Sequence, residues 1–348
     1  MYETNSEWFV IVNPHAGSGK TMSQWTVAES LLRERGVRFT AVFTEYKSHA
    51  RELALQAARD GRRRFLAAGG DGSVHELFSG LLDYCLESGV PAEDFLVGNI
   101  PIGSGNDWLR SLGVPRDVDT VVRLVAEGAR RTQDLVCVRM SDGRSCCMAN
   151  IGGAGFDSHV CERVNARKER GHRSKWIYLG SLIVTILKLK RLNVEVTGDG
   201  EVLYSGPCYS IAFGNGSFSG GGMRQTASAV MDDGLVDVLV VPVISLFRIL
   251  REVHRLFDGT TPESQYLVYR QCREITVTPL DPFSSASGAS RPASPVGSSS
   301  ANSLDSRSAD PTGSLSGDIL EVDGEIEGRL PATVSATSLR IGVVAPRR

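Results

Sequence analysis

The chain has 348 residues, enough to form two domains that each bury a core. Its formal net charge of −2 argues against a general nucleic-acid-binding protein, because such proteins carry a strongly basic surface. The seven cysteines are odd in number and form no CxxC pair, which argues against a disulfide framework or a zinc site and favours a reducing cytoplasm.

The sequence shows no signal for secretion or for a membrane span. Residues 1–8 are polar and acidic, unlike a signal peptide. The longest apolar stretch, 176–187, is too short to span a bilayer and lies close to Lys188 and Lys190. A cytoplasmic protein is therefore expected.

The first 135 residues alternate between strand-like and helix-like segments. The continuous apolar run Trp8–Val12 is typical of a parallel strand buried on both faces. A helix then presents one apolar face and stops at Gly36; the face comprises Val27, Ala28, Leu31 and Leu32. Further strands are predicted at 38–44, 64–68 and 95–100, and further helices at 49–59, from Ser73 and from Ser104. This βαβα order predicts an α/β domain with a parallel sheet and right-handed connections.

After Asp134 the segments become short, β-rich and bounded by Gly, Asp or Asn, which predicts an antiparallel second domain with strands at 135–140, 192–196, 207–213, 235–241 and 274–279. One amphipathic helix is predicted over 245–258, with its apolar positions at Leu246, Ile249, Leu250, Val253 and Leu256. Residues 282–317 are rich in Ser, Ala, Gly and Pro, and we expect them to be disordered. The predicted division is 1–135, 136–337 with the insert 282–317, and a returning strand within 338–348.

Two glycine-rich loops follow buried strands: residues 69–73 (GGDGS) and residues 101–107 (PIGSGND). Glycines allow the backbone to approach a ligand closely, and ligands of α/β sheets bind where strands pass into helices. An acid such as Asp71 would repel a phosphate unless a divalent cation lay between them. The alternative is that Asp71 only caps the helix that starts at Ser73.

A third glycine-rich segment, residues 13–21 (NPHAGSGKT), follows the first strand. It is not a Walker loop, because Pro14 occupies a required glycine position. The loop at 101–107 also fails the Rossmann spacing, since Trp108 stands where the third glycine belongs. The segment either binds phosphate through amides at a helix start or is a plain strand-to-helix turn.

Taken together, NPHAGSGK, GGDGSVHE and PIGSGNDWLR resemble the catalytic domain of the diacylglycerol kinase family, which includes soluble bacterial lipid kinases and the related sphingosine and ceramide kinases. The resemblance extends to residues 150–157 (NIGGAGFD), 232–235 (DDGL) and 322–325 (VDGE), and so covers nearly the whole chain apart from the insert. It implies the two-domain fold shared with NAD kinases, in which an α/β domain and a C-terminal antiparallel β-sandwich enclose a cleft.

The resemblance also implies a site for ATP and Mg²⁺. The positions that match the family's nucleotide contacts are Asn13, Thr44, Gly69, Gly70, Asp71, Gly72, Ser73, Val74, His75 and Ser104. Asp71 matches the acid at the Mg·ATP centre, with Asp107 and Asp134 as its supporting network. Glu325 matches the general base that takes the proton from the lipid hydroxyl. A second, structural Mg²⁺ site is implied at Asp233 with the carbonyls of Val230 and Leu235.

The chain departs from the family pattern at three positions of these loops. Ser73 and Ser104 replace threonines, which keeps the hydroxyl, and His75 replaces an asparagine, which weakens one polar contact. Apart from the resemblance, Glu325 would be read as a solvated turn carboxylate. Lys20 could add positive charge to a phosphate site or simply be a solvated lysine at a helix start.

Residues 163–191 carry basic side chains at both ends and apolar side chains between them, a pattern typical of a helix that lies at the surface of an anionic membrane. The alternative is a core helix with basic flanks. The implied partner is a membrane lipid with a primary hydroxyl, and peripheral contact would be with the inner face of the membrane. The sequence carries no signal of oligomeric state.

Diacylglycerol is the family's default acceptor, but the sequence does not identify the headgroup. Sphingoid bases, ceramide, monoacylglycerol and phosphatidylglycerol also present a primary hydroxyl on an apolar body. NAD kinases share GGDG, although the NPHAG start and the SGND loop argue against that activity. A non-catalytic lipid- or nucleotide-binding protein is the remaining alternative, which the joint presence of Asp71, Asp107 and Glu325 disfavours.

Overall fold

The computed structural model describes residues 7–16, 21–102, 105–155, 191–280 and 319–347. Several predictions fall outside these ranges, and for them the structure provides no test. They concern Ser104, Lys20, most of the basic stretch 163–191 and the insert 282–317.

The N-terminal half is a parallel sheet flanked by helices. Its strands are β1 (Trp8–Val12), β2 (Phe39–Phe43), β3 (Arg64–Gly69) and β4 (Leu96–Pro101). Its helices are α1 (Thr21–Glu34), α2 (His49–Arg59), α3 (Asp71–Ser88), α4 (Asp107–Ser111) and α5 (Val118–Ala126). The spatial order is β2-β1-β3-β4, with every pair parallel. Because all four strands run the same way, their carboxyl ends share one edge of the sheet.

The C-terminal half is built from antiparallel strands. They are β5 (Arg131–Met140), β6 (Ser145–Met148), β7 (Ile151–Gly155), β8 (Leu192–Gly198), β9 (Glu201–Gly214), β10 (Val236–Pro242), β11 (Val268–Cys272), β12 (Glu274–Pro279), β13 (Ile319–Val322), β14 (Glu325–Arg329) and β15 (Ala332–Val343). Two short helices, α6 (Leu246–Glu252) and α7 (Arg255–Asp258), lie between β10 and β11. The β13–β14 hairpin pairs with β7, which brings residues 323–325 back toward the first half.

Strand β15 joins the two halves. Residues 332–336 pair with β5, residues 332–335 also pair with β12, and Gly342 and Val343 then pair in parallel with β4. Strand β5 lies between two cores, because Leu135 and Cys137 pack in the first cluster while Val136 and Val138 pack in the second. The predicted boundaries at 135/136 and 337/338 fall inside β5 and β15, and the division itself stays a prediction.

Most predicted strands and helices were confirmed with shifted ends, whereas the predictions for Val27 and for the helix over 245–258 were wrong in kind. Val27 does not lie on the buried face of α1; it is 55% exposed, and Trp25 is buried instead. The helix predicted over 245–258 is two helices, because the backbone interrupts the α-helix between Glu252 and Arg255. The apolar spacing continues through that break, so periodicity alone could not reveal it.

Helix α3 begins at Asp71, two residues earlier than predicted, with Gly70 as its N-cap residue. The Asp71 side chain therefore lies in the first turn of the helix and does not cap it from outside. Within the described ranges, none of the helices combines the length and apolar character needed to cross a bilayer.

Candidate active site

Three predicted segments meet at the carboxyl edge of the parallel sheet. The backbone N–H of Asn13 donates to the carbonyl of Ala68 (3.0 Å), and the side-chain amide of Asn13 donates to Ser73 Oγ (3.3 Å). Thr44, buried at the end of β2, donates its N–H to Val12 (2.9 Å). Asn13, Thr44 and the loop 69–73 are thus neighbours, as expected for parallel strands that end side by side.

The loop 69–73 is shaped by its side chains as well as by its glycines. The Ser73 hydroxyl folds back over Gly69, where an added Cβ would collide with it. Gly70 has no heavy atom within 4 Å of its Cβ position, so this part of the loop is open to a ligand. Val74 is buried in the core cluster. His75, two residues after Ser73, is buried, and its ring lies against Asp323 and Glu327 of the other half.

Asp71 connects the two predicted phosphate loops. Its Oδ1 accepts the backbone N–H of Trp108 (3.1 Å), in the first turn of α4. A Cβ on Gly105 would lie 2.7 Å from Asp71 Oδ2, so glycine is needed there for close approach. Burial raises the pKa of Asp71 to about 6; the charge of Asp107 adds to the rise and the Trp108 N–H opposes it. Asp71 therefore caps a neighbouring helix and still holds a carboxylate at the loop.

Glu325 reaches this edge from the other half of the chain. An added Cβ on Gly72 would lie 2.7 Å from Glu325 Oε1, so the carboxylate rests against the loop. Its Oε2 lies 3.0 Å from Nζ of Lys47, and the two side chains are 35% and 64% exposed. The Glu325 carboxylate raises the pKa of Lys47 above the usual lysine value. The structure thus brings the predicted base to the predicted phosphate loop.

The two predicted supporting acids, Asp107 and Asp134, bind segments of the C-terminal half. Asp107 Oδ2 accepts the N–H of Gly221 (2.6 Å), which ties α4 to a loop of the second half. Asp134 accepts the N–H of Gly234 (2.6 Å) and pairs with Nε of Arg340 (2.9 Å). Burial raises the pKa of Asp134, and both donors limit that rise.

The predicted second cation site lies in the segment 230–235, which Asp134 anchors. Asp233 is exposed, and its Oδ1 accepts the N–H of Leu235 (3.0 Å). The charge of Asp233 adds to the raised pKa values of both Asp134 and buried Asp237, so three acids lie within electrostatic range of one another. The carbonyls of Val230 and Leu235 belong to the same turn.

The anchoring role of Asp134 can be tested by stability. Asp134→Ala should lower the free energy of unfolding by about 1–3 kcal/mol, because the Gly234 N–H and Arg340 lose a buried acceptor. Asp142→Ala is a matched control, since Asp142 also pairs with an arginine and accepts a backbone N–H but does so at an exposed site. Urea unfolding should separate the two variants; equal, small losses would mean that Asp134 does not anchor the segment.

The residues at the sheet edge fit a polyphosphate with a divalent cation. Gly70 leaves open space and Asp71 supplies a hard oxygen ligand. Gly105, opposite Asp71, has no side chain that would crowd this carboxylate. The segment 230–235 offers a similar oxygen-only donor set. These donors suit Mg²⁺ better than a softer transition metal.

Sequence reasoning missed three residues around Glu325. Lys47 comes from the loop after β2, and no local pattern links it to a turn far along the chain. Asp323 and Glu327 had a signal: Asp-Gly is a tight-turn pair, and alternation along β14 places Glu325 and Glu327 on one face. Lys47 and Glu327, with Arg51 and His75, line a small cavity beside Glu325.

Comparisons with known proteins agree with this architecture. The diacylglycerol kinase catalytic domain model matches residues 7–138, and the YegS C-terminal NAD kinase beta sandwich-like domain model matches residues 150–304. A probable lipid kinase YegS-like protein of Xanthomonas campestris pv. campestris (strain 8004) is 27% identical over 246 residues, covering 69% of this chain and 75% of that protein. The lipid kinase YegS of Escherichia coli (strain K12) is 26% identical over 232 residues, covering 64% and 72%.

A crystal structure of a diacylglycerol kinase from Bacillus anthracis str. Sterne superposes with a TM-score of 0.63 at 16% identity, covering 98% of this chain and 97% of that one. At this identity the likeness establishes the fold: an α/β domain with a parallel sheet followed by a β-sandwich domain. The two family models together span most of the sequence, in the order and with the fold that the structure displays. The chain belongs to the diacylglycerol kinase catalytic-domain family of lipid kinases.

Proposed function

We propose that the protein is an ATP-dependent lipid kinase that transfers the γ-phosphate of ATP to a primary hydroxyl of diacylglycerol, giving phosphatidic acid. One observation carries the proposal: the Glu325 carboxylate, from the β13–β14 hairpin, lies against Gly72 of the glycine-rich loop. A carboxylate in that place can accept a proton from a hydroxyl group that approaches a phosphate held by the loop.

The residues would share the reaction as follows. Backbone N–H groups of loop 69–73, with Asn13 and Thr44 beside them, bind the phosphates of ATP. The family resemblance assigns Ser104, which lies outside the described residues, to the same phosphate contacts. The lipid oxygen forms a bond to the γ-phosphorus as the bond from that phosphorus to the bridging oxygen breaks, and ADP leaves. Glu325 takes the hydroxyl proton, and Nζ of Lys47 lies 3.0 Å from its carboxylate.

Asp71 would hold the Mg²⁺ that accompanies ATP, with Asp107 supporting the neighbouring wall. When bound, the ion neutralises charge that develops on the phosphate oxygens. Asp233 and the carbonyls of Val230 and Leu235 would hold a second, structural Mg²⁺. Neighbouring Asp134 and Asp237 support this assignment, because a cation would offset the repulsion among three nearby carboxylates.

The acceptor is tested by transfer of radioactive phosphate from labelled ATP to lipids in mixed micelles. The panel contains diacylglycerol, sphingosine, ceramide, monoacylglycerol and phosphatidylglycerol, with NAD as the soluble alternative. Diacylglycerol should be labelled fastest. Preferential labelling of another lipid would assign that lipid as the substrate. Labelling of NAD would assign the protein as a NAD kinase, and no labelling would favour a non-catalytic binding protein.

We further propose peripheral contact with an anionic membrane, because a lipid kinase must reach its acceptor. The sequence 163–191, most of which lies outside the described residues, contributes a basic frame. Among the described residues, α6 and α7 expose Phe247 (76%) and Phe257 (52%) near Arg248 and Arg251, a pairing typical of interfacial helices.

Charge reversal tests this contact. The double variant Arg167→Glu/Lys168→Glu should bind anionic vesicles more weakly, by about 1 kcal/mol for each basic charge removed, and should bind ATP as before. The matched control reverses two exposed helix arginines of the first half, Arg33 and Arg123. Cosedimentation with vesicles measures the effect, and equal binding by both double variants would exclude a specific role for 163–191.

A further inference from the structure

His75 links α3 to the hairpin that carries Glu325. Its side chain is 3% exposed, and its Nδ1 lies 3.2 Å from Asp323 Oδ2 while Nε2 lies 3.4 Å from Glu327 Oε1. The two acids flank Glu325 in sequence, on the turn and on β14. One imidazole therefore bridges both sides of the segment that bears the proposed base.

The turn itself is held from a second direction. Asp323 adopts a left-handed conformation (φ 52°), and its carboxylate accepts the backbone N–H groups of Ala149 (2.8 Å), Asn150 (2.8 Å) and Ile151 (3.1 Å). These bonds fix the turn to the start of β7. They do not reach α3 directly, although Cys147, two residues before Ala149, donates its N–H to Ser79 Oγ of that helix (3.0 Å). His75, nearer the phosphate loop on α3, contacts the turn itself.

We propose that His75 is a positioning residue, which acts through Asp323 and Glu327 to hold the Glu325 carboxylate against Gly72. The inference rests on the proposed function, and it moves His75 from the nucleotide contacts that the resemblance implies to the support of the base. A shift of about 1 Å at a reacting group can cost about 100-fold in rate, so a link of this kind has a measurable effect on turnover.

The charge state suits this role. Burial alone lowers the pKa of His75, but hydrogen bonds to Asp323 and Glu327, with their charges, outweigh it and raise the pKa to about 9. The imidazolium can then donate from both nitrogens, one to each acid. The hydrogen bond and charge of His75 lower the pKa of Glu327, with help from the charges of Lys47 and Arg51.

Asparagine, the residue usual at this position in the family that the sequence resembles, cannot replace this link. Its side chain is shorter, and its donors lie on a single nitrogen, so it reaches one acid and leaves the other unpaired. His75→Asn should therefore release Glu327 while keeping one bond to the turn.

A metal ion is the competing explanation for this cluster. Ligand atoms of His75, Cys146 and Glu327 lie within 4.8 Å of one another. However, a ring that donates from both nitrogens has no lone pair for a metal, and burial raises the pKa of the Cys146 thiol. The geometry with two acids favours the imidazolium.

The first test is kinetic. His75→Asn and Glu327→Gln should each lower kcat by about 10- to 100-fold and leave KM for ATP unchanged. The double variant should lose little more than either single variant, because both remove one link. Glu201→Gln, at an exposed position in the β8–β9 hairpin, is the control for Glu327→Gln. Additive losses, or a change in KM for ATP alone, would overturn the proposal.

The second test does not depend on activity. Titration of ¹⁵N-labelled histidine should show one ring with a pKa near 9, which His75→Asn removes, and wild-type kcat should fall as pH rises through that value because the neutral ring gives up one donor. Hydrogen exchange at 319–329 should increase in His75→Asn.

A normal His75 pKa, unchanged exchange, or binding of Zn²⁺ that His75→Asn abolishes would each refute the imidazolium link. If wild type labels no acceptor, the proposed function fails, whereas these two measurements still decide the link.

Discussion

Replacing Glu325 with alanine is expected to lower the turnover of phosphoryl transfer by about 10²–10⁴-fold, the range for loss of a general base. Alanine leaves no group beside Gly72 to accept the hydroxyl proton. Stability should change little, because the ion pair between Glu325 and Lys47 is exposed and such pairs contribute about 0–1 kcal/mol. Steady-state kinetics at saturating lipid, together with thermal unfolding, measure both effects.

The chain contains a matched control for this variant. A second Asp-Gly-Glu turn, residues 199–201, joins β8 to β9, and its Asp199 and Gly200 adopt φ values of 49° and 86°, close to the 52° and 91° of the turn before Glu325. Glu201 begins a strand, as Glu325 does, but it is exposed and lies in the β8–β9 hairpin. Glu201→Ala should retain full turnover. Full activity in Glu325→Ala would withdraw the assignment of the base.

Replacing Asp71 with asparagine is expected to lower turnover by at least about 10³-fold, because a bound metal contributes several kcal/mol to transition-state stabilisation. The amide oxygen can still accept the Trp108 N–H, so the loops should keep their arrangement. Asparagine also has no charge to bury, and the variant should therefore unfold at a higher temperature than wild type in metal-free buffer.

Calorimetry and a Mg²⁺ titration of activity test this pair of effects. Asp119→Asn is the control, since Asp119 also lies in the first helical turn but is exposed and pairs with Arg35. A variant that lost both stability and activity would assign Asp71 a structural role only. Normal Mg²⁺ dependence of the Asp71→Asn variant would mean that Asp71 does not bind the metal ion.

Local structure was predictable where the spacing of apolar residues fits only one kind of element. The apolar run at Trp8–Val12 predicted β1 residue for residue, and the helix at His49–Arg59 was also predicted at its observed bounds. The prediction was wrong where the same pattern fits two structures: apolar spacing over 245–258 continues across a break between α6 and α7. Val27 was assigned to the buried face because a window of helix spacing does not specify which side the sheet occupies.

The candidate site was predictable only in part, for a physical reason. Its loops could be found because parallel strands end at one edge, whereas the two Asp-Gly-Glu turns are alike locally. Pairing of β13 with β7 brings Glu325, and not Glu201, to Gly72, and such long-range pairing leaves no local trace. The contacts of His75 likewise depend on a distant hairpin, since Asp323 lies 248 residues farther along the chain.

The position of β15 sets an order on folding during synthesis. Strands β1 to β4 leave the ribosome early, yet the free edge of β4 gains its parallel neighbour only when Gly342 and Val343 arrive. Asp134 likewise waits through 206 residues of translation for Arg340. The nascent first half therefore presents an unpaired, apolar strand edge while most of the remaining chain is synthesised, which is the kind of surface that chaperones must shield from other chains.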